Sequence, residues 1–195
     1  MEFKDYEKYR WFFTSTDKLV AGGKNALQNE ELIRRLKTNK KDFLGMHTAE
    51  PGSPFAFILA DKKLIKDRDV EECAIFTASF SRAWKEKKKK AEVHIFNLSQ
   101  LYKTKIMQIG TWGVKPPIKK KLVNLGLVLT KQKSKLRAVP EKTIKTKKDI
   151  LLKIIPGKID KQLMLTKIQI NLDEEFSQEE LLSALPSGGI KIITR

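Results

Sequence analysis

Leu19-Val20-Ala21-Gly22-Gly23-Lys24-Asn25-Ala26-Leu27-Gln28-Asn29-Glu30 decides how the chain begins to fold. Its opening residues suit a strand, two glycines interrupt it, and Asn25 has the short amide that caps a helix start. Upstream, Arg10-Trp11-Phe12-Phe13-Thr14 is a second β-compatible run, and the polar Ser15-Thr16-Asp17 between the two predicts a hairpin. Downstream, Leu32, Ile33 and Leu36 at helical spacing carry the helix to about Leu36, with Glu30, Glu31, Arg34 and Arg35 facing out.

Further along, a strand from Phe43 to His47 and an apolar run Phe55–Leu59 flank Glu50-Pro51-Gly52-Ser53-Pro54, a turn. Val70, Cys73, Ala74, Thr77, Phe80 and Trp84 recur at three and four, which predicts one helix from Arg68 to Trp84 with Cys73 on its buried stripe. Val93–Leu98 and Leu122–Leu129 read as strands, joined through an exposed connection containing Gly110-Thr111-Trp112-Gly113 and Pro116-Pro117. The expected class is α+β: a mixed, mainly antiparallel sheet with packed helices. Beyond Lys148 come a strand Ile150–Ile155, a Pro156-Gly157 turn, helices Asp160–Leu172 and Ser177–Leu185, and a strand Ile190–Ile193. This predicts a main domain over 1–148 and a small βααβ subdomain over 149–195.

The net charge of +17 is uneven: residues 1–84 hold 15 Lys/Arg against 13 Asp/Glu, 85–150 hold 19 against 4, and 151–195 hold 6 against 6. Solubility alone does not require such a basic middle, whereas a polyanion does. The expectation is that these cations converge on one continuous patch. The block is mostly lysine, a hydrated point charge suited to phosphate rather than to base discrimination.

Other chemistry has little material. His47, His94 and Cys73 lack metal-ligand spacing, no GxSxG turn is present, and Gly22-Gly23-Lys24 lacks the rest of a phosphate-cradling loop. No metal or cofactor is expected. No apolar run approaches the roughly 20 residues of a membrane helix, the charged N-terminus offers no signal-peptide core, and a single cysteine suits a reducing compartment, so a cytoplasmic location is expected. His47 closes an apolar strand beside an irregular turn and is the stronger functional histidine; His94 should face solvent. Tryptophans beside cations suit unpaired bases, with Trp11 and Trp84 as core anchors and Trp112, in a glycine-flanked loop, exposed.

Tyr9-Arg10-Trp11-Phe12-Phe13, the stretch from Leu19 to Glu30, His47 through Pro54, Ala78 to Lys85, Gln100-Leu101-Tyr102-Lys103 and Gly110-Thr111-Trp112-Gly113-Val114-Lys115 together resemble the RNA-binding domain of the NFACT proteins, NFACT-R, over about residues 6–120. The resemblance implies a standalone, archaeal-type member that contacts structured RNA, tRNA or rRNA, in translation or ribosome-associated quality control, without catalysis. The expected RNA-binding residues are Arg10, Lys24, Asn25, His47, Arg82, Lys85, Lys103, Lys105, Trp112, Lys115, Lys119, Lys120 and Lys121. Two alternatives stand beside this: an RNA-modification enzyme or its accessory subunit using His47, Glu50 and Arg82, and an interaction module for acidic partners or duplex DNA.

Overall fold

The N-terminal hairpin forms as expected: β1 (Arg10–Phe13) pairs antiparallel with β2 (Leu19–Gly22). The molecule is described from a computed structural model that defines residues 3–116 and 118–193, so Pro117 of the expected connection lies outside the described residues. After β2 come α1 (Ala26–Lys37), β3 (Leu44–Thr48), β4 (Ala56–Ile58), α2 (Asp67–Ser79), α3 (Arg82–Lys85), β5 (Lys90–Asn97), β6 (Leu101–Tyr102), β7 (Gly113–Val114) and β8 (Lys119–Asn124). The chain continues through β9 (Leu127–Gln132), β10 (Lys135–Val139), β11 (Leu152–Asp160), α4 (Lys161–Ile170), α5 (Gln178–Ala184) and β12 (Gly189–Ile193). The class is α+β, with antiparallel sheets ordered β1-β2-β4-β3-β5-β8 and β10-β9-β11-β12, a small β6-β7 pair, and a C-terminal strand-helix-helix-strand arrangement.

Strand alternation gives the six-stranded sheet two apolar faces. On β5, Val93 and Ile95 enter the core under α2, whereas Phe96 joins Phe57 and Ala21 beneath Leu32, Ile33 and Leu36 of α1. Gly45 makes the second packing possible: a Cβ there would lie 2.6 Å from Phe57 Cε1 and 2.8 Å from Phe96 Cε2. The α2-side core is continuous with the inner residues of the four-stranded sheet, including Leu127, Leu129, Leu136 and Ile154. That sheet draws β9 and β10 from before residue 149 and β11 and β12 from after it. Trp84 Nε1 donates to the Gly189 carbonyl at 2.9 Å, and the Gln132 side chain exchanges two 2.8 Å hydrogen bonds with the Phe13 backbone. The first ties α3 to the four-stranded sheet, and the second joins the two sheets.

Asn25 caps α1 by accepting from Gln28 N at 2.9 Å. Two fully buried carboxylates of α2 hold the first hairpin's turn. Asp69 accepts from the Thr14 and Thr16 hydroxyls at 2.6 Å each, and Glu72 from Ser15 N at 2.8 Å. Such partners are what make their burial tolerable.

Three expected elements differ. The single helix Arg68–Trp84 is broken at Phe80-Ser81, because Ser81 turns extended, accepts from Ala83 N at 3.1 Å and starts α3 anew. Leu122–Leu129 is two strands of different sheets, separated at Leu125-Gly126, where Gly126 N donates to Ser79 Oγ at 3.3 Å. Pro156-Gly157 is an irregularity inside β11, where the pairing with β12 shifts between Pro156 and Ile159, rather than a turn ending it. The Gly157 Cα sits so close to Ile190 that a Cβ would lie 2.2 Å from its carbonyl carbon.

Candidate nucleic-acid interface

A groove of about 710 Å³ opens between the N-terminus of α1, the Pro51–Pro54 turn, α3, and the loop that carries Trp112. Arg10, Lys24, Arg82 and Lys85 line it, His47, His94 and Trp112 supply rings, and among the described residues no carboxylate does. These four side chains also have no ion-pair partner among the described residues.

Local chemistry fixes each position. Arg10 begins β1, with its guanidinium carbon 4.5 Å from the Phe80 ring centre. Lys24 and Asn25 sit where the double glycine hands over to α1. Arg82 is held to the turn by its own backbone N–H, which donates to the Gly52 carbonyl at 2.7 Å. Gly52 has φ of +102°, a conformation that favours glycine, and a Cβ there would sit 3.0 Å from Arg82 Cβ. His47 donates from Nδ1 to the Thr48 carbonyl at 2.7 Å and lies 4.5 Å, centre to centre, from the Phe55 ring. Burial holds its pKa below the usual histidine value, partly offset by that carbonyl.

Trp112 is half-buried rather than exposed. Its Nε1 donates to Glu30 Oε2 at 3.1 Å, and the same oxygen receives Gly110 N at 3.0 Å and Lys103 Nζ at 2.5 Å. Glu30 therefore does not face out: its side chain is 13% exposed. Burial would raise its pKa, but the bonds from Lys103, Gly110 N and Arg34 prevail and hold it at about 2. The Lys103 charge is thus consumed in tying the loop to α1.

Lys105, Lys115 and the run Lys119–Lys121 also lie off the groove lining. That run is strand β8, the edge of its sheet, so its side chains divide between faces. Lys120 is opposite His94, which is opposite His47, extending one row across the groove side, with Glu92 3.2 Å away; Lys119 and Lys121 belong to the opposite face. His94 is likewise not free in solvent: it is half-buried and lines the groove.

The middle-block lysines do not converge on one patch. Lys88 pairs with Glu50, Lys131 with Glu174, Lys135 with Glu7, Lys142 with Glu71 and Lys145 with Asp17. Acids of the flanking thirds pair with these five, and three of the four groove cations come from the nearly neutral N-terminal part. Glu50 turns to Lys88 instead of joining His47 and Arg82 in the groove. Among the described residues no group of three or more His, Cys, Asp or Glu side chains could hold a metal, and no helix is long and apolar enough to cross a membrane.

Residues 8–116, which supply most of this groove, match the family model for the NFACT protein RNA binding domain. The chain belongs to that family. It is also similar to the archaeal Rqc2 homolog aRqcH of Methanocaldococcus jannaschii, at 29% identity over all of this chain and 30% of that protein. The chain therefore spans less than a third of its relative's length. The fold of this chain has a solved counterpart in the C-terminal part of the fibronectin/fibrinogen-binding protein from Streptococcus suis, with a TM-score of 0.50 and 22% identity. That match covers 60% of this chain and 45% of the other, and the likeness is one of fold.

Proposed function

We propose that the groove binds structured RNA, tRNA or rRNA, as part of ribosome-associated quality control, and that it does so without catalysis. The observation that carries this reading is the groove's composition: four cations without an ion-pair partner and no lining carboxylate among the described residues, beside a half-buried tryptophan and two histidines. Arg10, Lys24, Arg82 and Lys85 would neutralise backbone phosphates, and Trp112 or His47 would stack on an unpaired base. The similarity to the archaeal Rqc2 homolog supports the ribosomal setting.

Salt titration of binding to a tRNA transcript tests it. Four to six neutralised phosphates give a slope of log affinity against log salt of roughly −3 to −5. The double variant Lys24→Glu/Arg82→Glu is expected to lose most of that affinity, whereas duplex DNA and an acidic peptide compete poorly. A flat salt dependence, or wild-type affinity in the double variant, rejects the reading.

A further inference from the structure

The sheet inside the groove offers more than phosphate binding uses. α1 covers only part of its face of the six-stranded sheet: Phe57 and Phe96 lie beneath it, with Gly45 between them. Two residues further along each strand, on the same face, come His47 on β3 and His94 opposite it on β5. Both histidines line the groove, as does Phe55, which packs on the His47 ring. This floor is made of rings, whereas Lys24, Arg82 and Lys85 come from the entry to α1 and from α3 at its sides.

Hydrogen bonding fixes what His47 can offer. The Thr48 carbonyl, 2.7 Å away, only accepts, so the proton sits on Nδ1 and the neutral ring keeps a lone pair on Nε2. Burial favours that neutral ring. Among the described residues nothing donates to Nε2, and it is not sealed from solvent. His94 is held the other way, with Nε2 3.2 Å from Glu92 Oε1. Asn25 and Asn29, also in the lining, use their side-chain oxygens within the fold, on Gln28 N and Phe55 N. A fixed nitrogen acceptor in a cationic groove does not suit a phosphate, whose oxygens are acceptors too. It suits an N–H donor, and in RNA those belong to the bases. Inside a helix they are paired or out of reach, so the donor must come from a base turned out of the stack. The volume of about 710 Å³ agrees, since pockets of roughly 300–1,000 Å³ take one small ligand. An exocyclic amino group stands clear at the base edge, whereas the ring N–H of uracil lies between carbonyls whose lone pairs oppose that of Nε2.

We propose that His47 determines the specificity of the groove: through Nε2 it accepts a hydrogen bond from the exocyclic amino group of one unpaired base, whose flanking phosphates are held by Lys24 and Arg82. This rests on the groove reading above and divides its rings, giving His47 the edge of the base and Trp112 its face.

The test measures binding of the full chain, at fixed salt, to RNA hairpins that share a stem and carry loops of adenosine or of purine riboside, which lacks the exocyclic amino group. Wild type is expected to favour the adenosine loop by about tenfold. His47→Phe keeps a ring against Phe55 but has no acceptor, and is expected to bind both loops equally, at the level wild type shows for purine riboside. His47→Leu is a second variant without an acceptor and should behave the same; the one whose thermal midpoint matches wild type is read. The ratio between loops within one protein is the readout, because a merely structural role for His47 would weaken both loops alike and leave the ratio in place. Equal wild-type affinity for the two loops overturns the proposal, as does a preference that survives in the variant, or binding of neither loop by a protein that still binds the tRNA transcript. Lys24→Glu/Arg82→Glu separates the two levels. If it weakens both loops while wild type does not distinguish them, the groove stands and the role of His47 falls; if it weakens neither, both fall.

Discussion

Glu30 shows how much one side chain can organise. Three donors from the 103–112 segment converge on a single carboxylate oxygen, so the position of Trp112 is set from α1. Glu30→Gln keeps the shape but removes the charge, and is expected to cost roughly 1–3 kcal/mol. It should also shift tryptophan emission to the red, a change attributable to Trp112 because Trp11 and Trp84 are 2% and 0% exposed. The pH sign follows from the depressed pKa: the folded carboxylate stays ionised where an unfolded one protonates. Its contribution is complete above the ordinary value of 4.5 and lost as pH falls through about 2. Acid titration of the same emission checks this, and a transition centred above pH 5 would contradict it. None of this was legible in the sequence, where Glu30 looks like any outward residue of an amphipathic helix.

At the scale of elements, what could be read and what could not divide along one line. The hairpin, α1 with its Asn25 cap, the turn at residues 50–54 and the two C-terminal helices depend on neighbours in sequence, and they are where the residues put them. Ser81 and Gly126 depend on tertiary partners, so the break between α2 and α3 and the split between β8 and β9 stay hidden in an apolar pattern that runs straight through them. The same applies to the site. Arg10, Lys24, His47 and Arg82 could be named in advance, but their meeting with His94 and Ser187 is a matter of register and seam. Strand geometry also predicts an alternation in function: Lys120→Glu should weaken tRNA binding several-fold more than Lys119→Glu or Lys121→Glu, as read by filter binding. Equal losses would place the whole edge, rather than one face, against the RNA. In the loop, Gly110 has φ of +78° and a Cβ would meet Ala26 Cα and O at 2.6 Å. Gly110→Ala should therefore detach the loop from α1, at a cost of about 1–3 kcal/mol in a denaturant melt.

For the molecule as a whole, total charge is a poor guide to where a polyanion sits. Lys131, Lys135 and Lys142 lie off the groove lining in exposed ion pairs, and pairs of this kind contribute little each. Replacing Lys131, Lys135 and Lys142 together by glutamine is expected to leave tRNA affinity within about twofold, with the salt slope unchanged. A large loss would mean that RNA runs beyond the groove onto the second sheet. The composition therefore located a basic third correctly but not the surface that matters, because several of its lysines pair with acids distant in sequence and others point to the far face of the β8 edge.

The hydrogen bond from the Trp84 indole to the Gly189 carbonyl has a practical consequence for anyone shortening this protein. A fragment cut at residue 116 would strand that indole without an acceptor, strip the β5 edge of its neighbour and expose the aliphatic surface that the later strands cover. Such a fragment should clump rather than fold, however complete it looks by family boundaries.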